Sequence, residues 1–194
     1  MVRSVIVVAI AAAIGLAAWT QAWARGAAGS EGAAAAAVLK SSTGKTVGKV
    51  ALQDTPNGVL LSVDLDGLPS GVHAFHIHEH GRCDPPSFET AGGHFAPQGQ
   101  KHGFLDAMGP HAGDLPNIHV PDSGRLSVEI LATDVTLGRG EASLVDSDGA
   151  AFVVHRGADD YQTEPAGDAG SRIACGVIRS ASAEATADES ADER

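Results

Sequence analysis

Gly71-Val72-His73-Ala74-Phe75-His76-Ile77-His78-Glu79 lies in the middle of this 194-residue chain. The stretch alternates like a strand, with Val72, Ala74 and Phe75 as candidate buried contacts. His76 and His78 stand two apart, so a strand points both imidazoles to one face. A neutral imidazole offers one nitrogen to a metal and orients itself through the other. His-x-His alone is weak, because a pair of exposed strand histidines would look the same.

Similar short stretches flank it. Residues 47–52 and 59–65 alternate apolar and polar, and Asn57-Gly58 between them is a strong hairpin signal. Residues 126–131, 152–155 and 173–178 are further strand candidates. The chain holds 24 glycines and only 4% aromatics, with turn residues at short intervals. Short strands at this spacing indicate an all-β sandwich or barrel.

Residues 81–117 do not fit strands. They hold twelve Gly and Pro residues together with Cys83, His94, His102, His111 and Asp114. Loops of this length in compact domains are functional or disordered. Three imidazoles and a carboxylate satisfy tetrahedral zinc and leave no open position, so such a site is structural. It would order a loop that burial alone cannot. His155 ends the apolar run Phe152-Val153-Val154. A redox metal on His76 and His78 needs more nitrogen ligands, and imidazole suits copper. Asp159, four residues on, reads as a loop acid or as a carboxylate that orients ligand histidines. Arg172 reads as a surface charge or as a guanidinium facing an anion. Local sequence alone favours the bland reading of both.

The two ends differ from this middle. Residues 1–24 carry one charge, Arg3, then an apolar run and Ala22-Trp23-Ala24, the pattern of a cleaved signal peptide. The run is short for a spanning helix. Residues 25–35 are read as a flexible spacer, and the small-residue composition behind that reading runs from 26 to 37. Residues 181–194 are acidic, lack large apolar side chains and are expected to be disordered. One domain, residues 36–180, remains. Cys83 and Cys175 are the only cysteines, and export makes a disulfide the default. It would constrain the unfolded chain by roughly 4–5 kcal/mol on the chain-entropy model. The net charge of −11 argues against nucleic acid and anionic membranes as partners.

Taken together, these residues resemble the copper/zinc superoxide dismutases, in their bacterial exported form. The opening stretch looks like the family's copper-site strand. Ala91-Gly92-Gly93-His94-Phe95-Ala96-Pro97 resembles the segment with its bridging histidine. Lys101-His102-Gly103 and His111-Ala112-Gly113-Asp114-Leu115 are similar to its zinc loop. Gly170-Ser171-Arg172-Ile173-Ala174-Cys175-Gly176-Val177-Ile178 is similar to its C-terminal signature.

The resemblance implies an eight-stranded Greek-key β-sandwich or barrel with long metal-binding and active-site loops. It implies copper on His76, His78, His94 and His155, and zinc on His94, His102, His111 and Asp114. His94 would bridge the two and carry a proton. Asp159 would link a copper histidine to a zinc histidine, and Arg172 would dock superoxide. Cys83 and Cys175 would be the intrasubunit disulfide, and His73 a structural histidine. His80 and His119 match no ligand. The implied activity is dismutation of superoxide to O2 and H2O2 in the periplasm or another extracytoplasmic space. No membrane span would persist after signal cleavage. Monomer and homodimer both stay open, and the competing function is a non-enzymatic copper/zinc-binding protein. The loop 156–171 contains no lysine, so the lysine-assisted steering of the animal enzymes does not carry over. Lys101 and Arg82 are candidate substitutes.

Overall fold

The computed structural model describes residues 35–180. The expected signal segment, the spacer up to residue 34, and the acidic tail lie outside the described residues. Ten strands form: β1 (Ala35–Ser41), β2 (Thr46–Thr55), β3 (Gly58–Asp66), β4 (Gly71–His73), β5 (Phe75–His78), β6 (Ile118–Val120), β7 (Arg125–Ala132), β8 (Ala151–His155), β9 (Arg172–Val177) and β10 (Arg179–Ser180). Among the described residues the only helix is a single 3-10 turn, Glu89–Ala91. No described helix is long and apolar enough to cross a membrane.

Eight strands make one curled sheet in the order β5-β8-β9-β1-β2-β3-β7, with β10 added to β1. Strand β4 pairs with β6 as a separate ribbon. Because β4 runs into β5 and β6 precedes β7, this ribbon ties together the two ends of the path. The chain leaves β3 for the far end of the sheet and returns to pair β7 with β3, a Greek-key crossover.

The core forms where alternation predicts. Val50, Leu52, Val59, Leu61 and Val63 from β2 and β3 pack with Phe75, Ile77, Phe152 and Val154. Each such side chain contributes about 1.5–3 kcal/mol of burial. The rings of Phe75 and Phe152 stack at 5.1 Å.

Three details depart from the sequence reading. Ala35, Ala36 and Ala37 belong to β1, and Ala35 and Ala37 are fully buried, where a spacer was expected. Small residues give no hydrophobic pattern, yet they fit where β1 lies between β2 and β9. Val72 is not a buried contact. It is 38% exposed, because β4 pairs only with β6 and leaves that face to solvent. The β2–β3 hairpin exists, but its two loop residues are Pro56 and Asn57, since Thr55 pairs with Gly58. Gly58 has φ +118, and a Cβ there would strike the Ala132 carbonyl of the neighbouring strand. Its glycine serves that close approach rather than the turn itself.

Candidate metal centre

The outer face of β5, β8 and β9 carries chemistry instead of core. Phe75 and Ile77 point inward, so His76 and His78 point outward. Their register partners on β8 are Val153 and Ala151, and His155 follows on the same face. Strand β9 pairs Ala174 with Val154 but Arg172 with His155, leaving Ile173 as an extra residue. Such a bulge re-aims the side chains beyond it. Here Ile173 packs with Ala174 against the core, and Arg172 turns to the face that holds His155.

Each strand histidine is oriented by one acceptor. His76 Nε2–H donates to Asp159 Oδ2 at 2.8 Å. His78 Nδ1–H donates to the Gly92 carbonyl at 3.0 Å, and His155 Nδ1–H to the Gly170 carbonyl at 3.1 Å. These acceptors fix the tautomers and leave lone pairs on His76 Nδ1, His78 Nε2 and His155 Nε2. All three atoms, together with His94 Nε2, are buried without a hydrogen-bond partner. Unsatisfied buried nitrogens are costly. Four of them within 4.8 Å of one another make a nitrogen-lined cation site. The donor set fits copper.

The covering loop is clamped to this face. Cys83 and Cys175 form a disulfide, with Cα atoms 5.7 Å apart. Around it Phe88, Ala91, Ala151 and Val153 make a second small apolar cluster outside the main core. Phe88, buried at φ 57, and Gly92 aim their carbonyls at Arg172. Arg172 Nη1 donates to Phe88 O and Nη2 to Gly92 O, both at 2.7 Å. Gly92 O therefore serves both Arg172 and His78.

The second cluster is built differently. His94, His102 and His111 each place Nδ1 near Asp114 Oδ1, at 2.7, 3.2 and 3.2 Å. Asp114 Oδ2 accepts the backbone N–H of Gly103 at 2.8 Å and of His111 at 3.0 Å. His102 also donates Nε2–H to Asp159 Oδ1 at 3.0 Å. In its neutral form its Nδ1 then bears a lone pair directed at a carboxylate oxygen. Two acceptors face each other, and a cation between them resolves the conflict. Three ring nitrogens and one carboxylate oxygen within 4.8 Å fit tetrahedral zinc.

Asp159 joins the two clusters, one oxygen to His76 and one to His102. Asn117 holds it through two bonds of 2.8 Å with the Asp159 backbone. Gly167, at φ +64, passes so close that a Cβ would fall on the Asp159 carboxylate.

Burial sets the charge states. It holds His94 down at about 4, with His76 adding to the effect against the opposing bond to Asp114. It holds His155 at about 3, and His78 well below the ordinary histidine range. Burial raises Asp114 and Asp159, but hydrogen bonds prevail. Those with His111 and His94 keep Asp114 far below the ordinary carboxylate range. Those with His76, the Tyr161 N–H and His102 bring Asp159 to about 2. Neutral rings and charged carboxylates are the forms that bind metal.

The remaining sequence candidates fall into place around this centre. His73 is buried between the carbonyls of Pro69 and His155. His80 and His119 are exposed. Lys101 pairs with Glu164 at 3.7 Å and Arg82 with Asp84 at 3.1 Å. The Phe88 and Gly92 carbonyls, Asn117 and Gly167 were not singled out from sequence, which shows backbone acceptors no signal at all.

Comparison with known proteins agrees with this geometry. Residues 46–178 match the family model described as copper/zinc superoxide dismutase. The chain is 52% identical over 145 residues to superoxide dismutase (Cu-Zn) 2 of Aquifex aeolicus, covering 74% of this chain and 85% of the relative. It is 43% identical to the Caulobacter vibrioides Cu-Zn superoxide dismutase, over 75% of this chain and 85% of the other. The crystal structure of a SOD-like protein from Bacillus subtilis is similar, with TM-score 0.71 and 40% identity. That match covers 73% of this chain and 96% of the other.

Proposed function

The chain belongs to the copper/zinc superoxide dismutase family, and we propose that His76, His78, His94 and His155 hold its copper while His94, His102, His111 and Asp114 hold its zinc. It is an enzyme that dismutates superoxide to O2 and H2O2 with these two metals as cofactors. Copper held by these nitrogens would supply the one-electron redox chemistry that dismutation requires.

The protein's own residues do the rest. His76, His78 and His155 present fixed lone pairs. His94 faces both clusters, Nδ1 toward Asp114 and Nε2 toward the copper-side nitrogens, so one ring serves both metals. Its Nε2 is the atom to hold the proton that the departing peroxide takes up. Asp159 keeps His76 and His102 in the tautomers that ligation requires. Arg172 docks the anion, its guanidinium locked by two carbonyls and half-buried beside the copper side.

The observation that carries this reading is the set of four buried, unpartnered ring nitrogens on the face that Arg172 shares. Arg172→Ala tests it. We expect a lower kcat/KM and a shallower dependence on ionic strength, with metal content unchanged. Unaltered values of both would rule out the docking role.

The reading extends to location. The disulfide supports an oxidising, extracytoplasmic compartment, and residues 1–24 read as the export signal that would deliver the chain there, to the periplasm in a bacterial cell. Phe104, Leu105 and Met108 expose apolar surface beside the zinc-side cluster, a feature that favours a homodimer.

A further inference from the structure

The active-site loop 156–171 poses a problem for an enzyme with an anionic substrate. It carries Asp159, Asp160, Glu164 and Asp168 against one cation, Arg156, and the whole chain has a net charge of −11. The side chains reduce the problem. Asp159 is turned inward and bonded to His76 and His102. Asp160 is bonded to Thr163 and Gln162. Glu164 accepts from the His102 backbone and pairs with Lys101. That pair takes Lys101 out of play as a free positive charge, just as Asp84 neutralises Arg82.

Arg156 is different. It follows His155 directly, and its backbone N–H donates to Ser171 O at 2.8 Å. Its Nε donates to Ser171 Oγ at 3.3 Å, which orients the guanidinium and leaves both terminal amino groups free. Arg156 is absent from the ion pairs among the described residues, including those of Arg82, Lys101 and Arg125. It lines a cleft of roughly 390 Å3 together with Arg172, Ser41, Ser42 and Pro86. Arg156 thus shares a surface cleft with the arginine that docks the anion, and it is the chain neighbour of the copper-side His155.

The geometry points to Arg156 as the residue that steers superoxide toward Arg172, in place of a loop lysine. This role rests on the dismutase reading above. An unpaired charge one residue from His155 and beside Arg172 acts at long range, raising the local concentration of a monoanion before Arg172 captures it. Ser171 has a part as well, since its hydroxyl anchors the guanidinium.

The test compares wild-type, Arg156→Gln, Arg156→Lys and Arg139→Gln proteins, each loaded with copper and zinc. Arg139 is an exposed cation in the loop whose neighbours Thr136 and Leu137 bond to Asp54, near the β2–β3 turn, so its loss changes net charge equally at another place. We expect Arg156→Gln to lower kcat/KM about two- to five-fold at 10 mM ionic strength, with the difference fading above about 0.3 M. Arg156→Lys keeps the wild-type rate and salt slope. A second readout is independent of turnover. The dissociation constant of azide, a stable monoanion followed through the copper absorption band, rises about two-fold in Arg156→Gln at low salt and not in Arg139→Gln. Equal behaviour of the Arg156 and Arg139 variants, or a wild-type azide constant in Arg156→Gln, overturns the steering role. Absent turnover in the wild type would overturn the dismutase reading instead, and the azide constants would still decide the role of Arg156.

Discussion

The two halves of the metal centre are ordered by different means. On the copper side, three histidines ride on β5 and β8, whose backbones are paired through the sheet and whose inward neighbours Phe75, Ile77, Phe152 and Val154 are fully buried. On the zinc side, His94, His102 and His111 sit in a Gly/Pro-rich segment with little regular structure, held to one another through Asp114. Register positions the first set, while polar contacts and a few backbone bonds to Ile77 position the second, to which a zinc ion would add. The redox site is therefore preorganised by the fold, whereas the zinc site supplies order as much as it receives it. Among side chains His94 and Asp159 join the halves, and the backbone joins them too, Ile77 N–H donating to Gly113 O and Phe95 N–H to Ile77 O.

Removing one ligand from each half gives the largest contrast. His78→Ala should lower turnover by more than the ~10–100-fold that loss of a ligand's outer partner costs. Zinc content should stay near one per chain, and thermal stability should change little. Asp114→Ala should do the reverse to order. Zinc is lost, the melting temperature of the metal-loaded protein falls, and hydrogen exchange accelerates at residues 94–114. Amides of β8 stay protected, because the sheet protects them, whereas Ile77, whose N–H donates to Gly113 O, exchanges with the loosened segment. Metal analysis with exchange mass spectrometry reads both variants. Accelerated exchange in β8 after Asp114→Ala would break the distinction.

Asp159→Asn probes the bridge. An amide cannot accept from both His76 and His102 through two equivalent oxygens, so one of the two rings loses its fixed tautomer. Affinity for copper or zinc should fall ~10–100-fold, measurable by competition with a chelator. Unchanged affinity for both metals would make Asp159 a loop acid.

Acid should act more gently and with a defined sign. His94 and His155 are held at about 4 and about 3, against an ordinary value of 6.5 in the unfolded chain. Between those values the unfolded chain binds more protons, so stability rises with pH and falls as the solution is acidified. The contribution of these rings is complete above about pH 6.5 and is lost as pH drops through 4 toward 3. Urea midpoints of the metal-free protein at pH 7.5, 5.5 and 4.5 should decline in that order. A flat series would mean that these rings do not stay neutral in the folded state.

Sequence revealed these halves unequally. The candidate ligands were legible because residue type carries them, and the structure gathers them into two clusters. His76, His78, His94, His102, His111, Asp114 and His155 need no knowledge of the fold to stand out. The barrel was legible from alternation, though β1 was missed because alanines bury without a periodic signal. Arg172 and Asp159 were ambiguous, since their roles depend on where they point. The bulge at Ile173 aims one, and Asn117 and Gly167 hold the other. Val72 misled because alternation does not say which face a two-stranded ribbon leaves to water. Lys101 and Arg82 looked like free cations until their partners Glu164 and Asp84 were placed beside them.

The most direct test of the whole account is the decay of pulse-generated superoxide over purified protein loaded with copper and zinc. The preorganised copper face beside Arg172 predicts decay that is first order in superoxide, proportional to protein and sustained over many turnovers. Stoichiometric or absent decay, with both metals shown to be bound, would contradict it and leave a metal-binding protein on the dismutase fold.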